Sequence, residues 1–231
     1  VKRPLSLEEA REHLATAKGS EFDLFVHLLI LLGLRRGEIL ALRWQDIDLE
    51  TGLISINGSL SEVKELERGG TKKMSLYRGT PKTKSGFRTL ALSVPLTAAL
   101  MRHKERSKEM SERHRFSVPD HLFFSTTGTL VYPSNYAKRF RRWVLLQGLR
   151  EIRIHDYRHT AATLAIDNGV EAVRVQDGLG HSRLETTKNI YASRVKQPAI
   201  LFSQQMGDLF MDVNDELGMS LFSNDQALTG D

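Results

Sequence analysis

Two short runs far apart in the chain, Gly33-Leu34-Arg35-Arg36-Gly37-Glu38 and His155-Asp156-Tyr157-Arg158-His159, are followed by Gly180-His181 and by Tyr191. They offer guanidinium groups, imidazoles and a phenol, and Lys82 and Lys84 lie between the first two runs. Such a set can break a phosphodiester without a metal. Arginines neutralise the nonbridging oxygens, and their planar fork grips a phosphate at two points. Histidine moves protons near neutral pH. A tyrosine oxygen can attack phosphorus and hold the broken strand covalently.

Each member also has a plainer use. Arg35, where an apolar helix meets a glycine-bounded turn, can be a helix-end charge paired with Glu38. As a phosphate ligand it leaves Glu38 the supporting task of holding it in place, and Arg36 fits the phosphate role less well. His155 and Arg158 stand three apart on the first turn of a helix, whose free N–H groups already favour an anion. His159 adjoins Arg158 but faces elsewhere, which suits a supporting role beside that of Glu38. His181 follows Gly178-Leu179-Gly180 at a loop-to-helix junction, where a donor can reach a ligand. Tyr191 alone reads as a packed helical tyrosine, and its candidacy comes from its position beyond His181. No metal site is expected, since there are no cysteines and no clustered carboxylates. No cofactor is expected either.

The elements that must carry these groups are mostly helices. Ser6-Leu7-Glu8-Glu9 is a capping box opening a helix to about Lys18. An apolar helix runs from Phe22 to about Gly33, and a shorter one from Glu38 to Leu42. Leu53–Ile56, Lys73–Tyr77 and Thr89–Leu92 are strand candidates for a small antiparallel sheet, with residues 59–70 between them a loop or an extended hairpin. Helix returns from Pro95, its stretch from Arg102 to Arg115 a solvated face of mixed charge. The helix from Pro133 carries the densest basic run, Lys138-Arg139-Phe140-Arg141-Arg142. The helix with His155 and Arg158 closes at Asn168-Gly169. A second capping box, Ser182 to Glu185, opens a helix bearing Tyr191. Beyond Pro198, Ile200, Leu201, Met206, Leu209 and Phe210 form an apolar stripe, and the last dozen residues read as disordered.

With 231 residues the chain can bury a substantial core. Its formal charge of +5 suits an anionic partner without requiring one. The lack of cysteine, of a signal peptide and of a membrane-length apolar run fits an intracellular, cytoplasmic protein with no membrane partner. The first residue is Val, so a fragment of a longer protein is expected.

The blocks Gly33-Leu34-Arg35-x-x-Glu38, His155-x-x-Arg158-His159, Leu179-Gly180-His181-Ser182 and Tyr191, in that order, resemble the catalytic domain of the tyrosine recombinases, or phage integrases. The resemblance spans roughly residues 5 to 195. It implies a mainly helical (α+β) fold with a small three-stranded antiparallel sheet whose hairpin carries a catalytic lysine. The run Pro81 to Arg88 matches that hairpin, with Lys82 the preferred lysine and Lys84 the alternative. Residues 1–197 are then the catalytic domain, and 198–231 a C-terminal helix and flexible tail, with docking on a neighbouring protomer slightly favoured over folding back.

The resemblance further implies strand exchange at DNA attachment sites through a 3′-phosphotyrosyl intermediate, with Tyr191 the nucleophile and Arg35, Lys82, His155, Arg158 and His181 its helpers. A homotetramer on DNA, with a free chain able to stay monomeric, and accessory DNA-bending proteins would be the partners. Lys84, Arg88, Lys138, Arg139, Arg141 and Arg142 are candidate contacts to the DNA backbone. Two other readings stand beside this one: a type IB topoisomerase that reseals the same strand, and an inactive DNA-binding relic.

Overall fold

The computed structural model describes residues 3–66, 72–80, 86–180 and 197–211. The chain enters through α1 (Leu7–Ala17), where the expected capping box is formed. The Ser6 hydroxyl accepts from the Glu9 N–H at 3.2 Å, and the Glu9 carboxylate accepts from the Ser6 N–H at 2.8 Å. Next comes α2 (Asp23–Leu31), buried at every residue and therefore the central post of the domain. Gly33 then turns with φ +57°, and α3 (Arg36–Ala41) follows.

Five strands come between α3 and the long helix. They are β1 (Ile47–Asp48), β2 (Leu53–Ile56), β3 (Ser59–Leu66), β4 (Lys72–Gly79) and β5 (Arg88–Ala91). A three-stranded antiparallel sheet has the order β1-β2-β5, and β3 pairs with β4 as a separate two-stranded arm. The expected sheet is thus present with different membership. Lys73–Tyr77 belongs to the arm, and the third strand is the two-residue β1, too short to show alternation. The stretch left open as a loop or hairpin is a strand for eight residues. Leu60 faces the body while Ser61 and Val63 do not, and a strand packed only at its base needs few apolar residues.

The registers join the two sheets into one bent ribbon. Ile56 opposes Arg88 and Ser59 opposes Gly79. Two residues, Asn57 and Gly58, therefore face an eight-residue insert, Thr80 to Phe87, in the other limb. The run matched to a hairpin, Pro81 to Arg88, joins strands of two different sheets.

Five helices follow among the described residues: α4 (Val94–His114), α5 (Pro133–Leu146), α6 (Ile154–Asp167), α7 (Ala172–Leu179) and α8 (Gln197–Asp208). Tyr136, Phe140 and Val144 line one face of α5 at helical spacing and meet Phe22, Phe25 and Phe123 in an aromatic cluster. Burial of so much apolar surface is the main force holding α5 to α2.

Helix α8 packs against α7 and β5 of its own chain. Its buried stripe is Ala199, Phe202, Ser203, Met206 and Phe210, while Leu201 is exposed. The Ser203 hydroxyl accepts from the Ala91 N–H of β5 at 2.7 Å. Small residues allow the close approach, with Gly207 against Ser93 and Gly178 against the Phe202 ring.

Candidate active site

Helix α6 is pinned on three sides before it presents any side chain. Asp156 at its third position accepts from the Arg153 N–H at 3.3 Å and from the Arg153 guanidinium at 3.0 and 2.9 Å, which fixes the helix start. The buried Tyr157 hydroxyl meets His13 Nδ1 of α1 at 2.9 Å. The Thr160 hydroxyl accepts from the Leu5 N–H at 3.0 Å. The helix begins at Ile154, so His155 lies in its first turn and Arg158, its fifth residue, opens the second.

Arg158 points inward from that turn and is buried. It donates to the Gly33 carbonyl at 2.9 Å and to the Leu179 carbonyl at 2.5 Å. Gly33 has to be glycine here: its φ is positive, and a Cβ would lie 2.3 Å from Leu179 Cδ2. Burial, then Arg35 and Arg88 beside it, push the Arg158 guanidinium down to about 9, so it remains a cation at neutral pH.

Arg35 stands at the N-cap of α3 with its side chain 42% exposed. Its backbone N–H donates to Glu38 Oε2 at 3.0 Å, and its guanidinium donates to Glu38 Oε1 at 2.7 Å and to the Gly180 carbonyl at 3.4 Å. One face of the fork is held and the rest is open. Burial works against the Glu38 charge, but Arg88 and then Arg35 overcome it and hold the carboxyl below its ordinary range.

The carbonyls of Gly178, Leu179 and Gly180, at the C-terminal end of α7, accept from Arg88, Arg158 and Arg35 in turn. A helix end leaves its last carbonyls free and carries partial negative charge, so it gathers cations. Gly180, with φ +70°, ends the helix in the left-handed region and sets these acceptors in place.

His155 is exposed beside this group. Partial burial, then His159 and Arg158, hold its imidazole below the ordinary value; Asp156 opposes and Arg35 adds to the effect. The His159 ring stands edge-on to it with centroids 5.3 Å apart. His159 does face away from Arg158, but it is an exposed neighbour of His155 one helical turn on. The i, i+4 spacing was the sequence signal for that pair.

Lys82, Lys84, His181 and Tyr191 lie outside the described residues. Of the candidate DNA contacts, Lys138, Arg139, Arg141 and Arg142 are all exposed on α5. Arg139 pairs with Glu21, and Arg141 with Glu151 at 2.5 Å. Arg88, by contrast, is turned inward: its side chain is 4% exposed and bound to Glu38. Strand alternation carried the signal, since Arg88 lies two residues before the buried Leu90 and shares its inward face.

Arg35 and Arg158 meet at the end of α7 with His155 close to both, within a mainly helical frame bearing a small antiparallel sheet. The phage integrase family matches residues 5–197, and the chain belongs to that family. It is 28% identical over 210 residues to the tyrosine recombinase XerC-like protein of Caldanaerobacter subterraneus subsp. tengcongensis, covering 88% of this chain and 54% of that one. It is 29% identical over 174 residues to the ICEBs1 integrase of Bacillus subtilis, covering 74% and 44%. The chain thus spans about half the length of these relatives. Among solved structures, the Tn1549 transposon integrase in complex with circular intermediate DNA superposes with a TM-score of 0.63 at 22% identity, covering 79% of this chain and 58% of that one. XerA recombinase superposes with a TM-score of 0.59 at 20% identity, covering 98% and 66%. These two likenesses are of fold. Among the described residues no helix is long and apolar enough to cross a membrane.

Proposed function

We propose that this chain is the catalytic part of a site-specific DNA recombinase that cuts and rejoins duplex DNA through a 3′-phosphotyrosyl bond. The observation that carries the reading is the convergence of Arg35 and Arg158 at the end of α7, with His155 close to both. In the proposed reaction the Tyr191 oxygen attacks the scissile phosphorus and the 5′-oxygen leaves. A 5′-hydroxyl of the partner strand then reverses the step. One phosphodiester replaces another, so no ATP is needed.

A free phenol has a pKa near 10, so only about one in a thousand is ionised at pH 7. His155, held below its ordinary value by partial burial and then by His159 and Arg158, is the proposed base for that proton. Lys82, with Lys84 as the alternative, supplies the acid for the leaving oxygen, and His181 a further hydrogen bond. Arg35 and Arg158 meet the charge that grows on the nonbridging oxygens. Removing one such preorganised donor costs about 3–4 kcal/mol, or about 100- to 1000-fold in rate. Exposed cations on α5 contribute backbone affinity that falls with salt. Exchange between two duplexes calls for several copies on the DNA, a tetramer being the simplest assembly, inside a bacterial cell.

The test is covalent trapping on nicked suicide duplexes bearing the junction sequence of the parent element, with Tyr191→Phe alongside. An adduct stable on a denaturing gel and lost in the variant is expected. DNA binding without an adduct overturns the reading in favour of a binding-only protein, and an adduct that persists in the variant reassigns the nucleophile.

A further inference from the structure

Arg88 is the cation of this cluster that is bound at two points to a carboxylate. Its guanidinium donates to Glu38 Oε2 at 2.8 Å, to Glu38 Oε1 at 3.4 Å, to the Gly178 carbonyl at 2.8 Å and to the Gly86 carbonyl at 3.2 Å. Four acceptors surround a group that has five N–H donors. The Glu38 carboxylate is equally full, taking the backbone N–H and guanidinium of Arg35 together with two donors of Arg88. A carboxylate offers about four lone-pair sites, and all are used.

The charges explain why both arginines are needed. Glu38 fixes Arg35 in direction, but a buried carboxylate with Arg35 as its one cation would also cancel the charge Arg35 must offer to phosphate. With Arg88 present, Arg35, Arg88, Arg158 and Glu38 together keep two positive charges in excess. That surplus suits a phosphodiester anion gaining further negative charge as an oxygen nucleophile attacks. We infer that Arg88 is a positioning residue for strand cleavage: it takes up the charge of Glu38 so that Arg35 keeps its own for the phosphate, and it ties the pair to the end of α7 where Arg158 is held. The inference rests on the recombinase reading. Arg88 also ties the Gly86 backbone, two residues ahead of it, to the same cluster.

The test is a rescue. Arg88→Met is expected to slow adduct formation at saturating nicked DNA about 100-fold while DNA affinity stays within about twofold. Adding Glu38→Gln removes the charge that Arg88 answered, and the double variant is expected to recover at least about tenfold over the single one. A purely structural arginine gives no such recovery. Arg88→Met at the wild-type rate, or single and double variants equally slow, overturns the inference. Should Arg88→Met fail to fold, Arg88→Lys decides, because it keeps the charge and loses the fork: a rate within about tenfold of wild type is expected, and a loss as deep as that of Tyr191→Phe overturns it. Wild-type protein that binds the DNA and forms no adduct counts against the recombinase reading. In that case binding of orthovanadate, a phosphate mimic, is compared by calorimetry. Weaker binding by Arg88→Met restored in the double variant supports the inference, and equal binding overturns it.

Discussion

A methyl group added at Gly178 tests whether α8 sits on its own domain. An ideal Cβ there would lie 2.3 Å from Cδ1, 2.6 Å from Cγ and 3.0 Å from Cβ of Phe202. Carbon atoms settle at about 3.5–4.0 Å, so the overlap exceeds about 1 Å. The Phe202 Cβ is among the clashing atoms, so rotating the ring does not relieve it and the helix must shift. Overpacking of this kind costs about 1–3 kcal/mol, offset by about 1 kcal/mol from the better helix propensity of alanine. Phe202 is fully buried, and Phe202→Ala should cost about 3–5 kcal/mol. With the ring gone, the methyl at Gly178 enters vacated space and its sign reverses. Gly178→Ala is therefore expected to destabilise wild type by up to about 2 kcal/mol and to be neutral or slightly stabilising in Phe202→Ala. Equilibrium urea unfolding of the four proteins measures this, with unchanged m-values as the check on two-state behaviour. Additive effects would refute the seating of α8 against α7. A coupling that vanished on dilution would place the helix on a partner copy instead.

Three further outcomes follow from particular contacts. His159→Gln removes a group that lowers the His155 pKa, so the acid limb of adduct formation should move to higher pH; wild type should be half-active at a pH below 6.5, and an unmoved limb would remove His155 as the base. Burial pushes His13 down to about 4 from 6.5, so the unfolded state takes up its proton first as pH falls. About 3 kcal/mol of stability should be lost between pH 6.5 and about 4, and urea unfolding of His13→Gln should show a flatter profile there. Gly33→Ala forces a Cβ to within 2.3 Å of Leu179 Cδ2 at a positive φ. It should cost about 2–4 kcal/mol in unfolding experiments and slow adduct formation, because the Gly33 carbonyl aims Arg158.

Much of this was legible in the residues, for identifiable reasons. Arg35 with Glu38, and His155 with Arg158, are local pairs at helix starts, and helical spacing alone brings each pair together. The buried Phe202 was missed because the apolar residues from Ile200 to Phe210 fit more than one helical phase, and only the packed neighbours choose between them. The burial of Arg88 was not read from its charge in a basic run, although its register with Leu90 pointed inward. The convergence of three arginines on residues 178–180 is a product of tertiary packing, and no spacing in the chain announces it.

The acceptors that aim these arginines are largely main-chain oxygens, at Gly33, Gly178, Leu179 and Gly180. Every amino acid brings a carbonyl, so replacing a side chain cannot delete one; it can only move it. The reactive cations are therefore insulated from side-chain drift along the strip they lean on, and exposed to drift in whatever fixes that strip. For a scan of random variants this inverts the usual map. Losses of activity should concentrate at apolar positions such as Phe202 and Val175, out of sight of any DNA, as densely as at the polar groups that meet it.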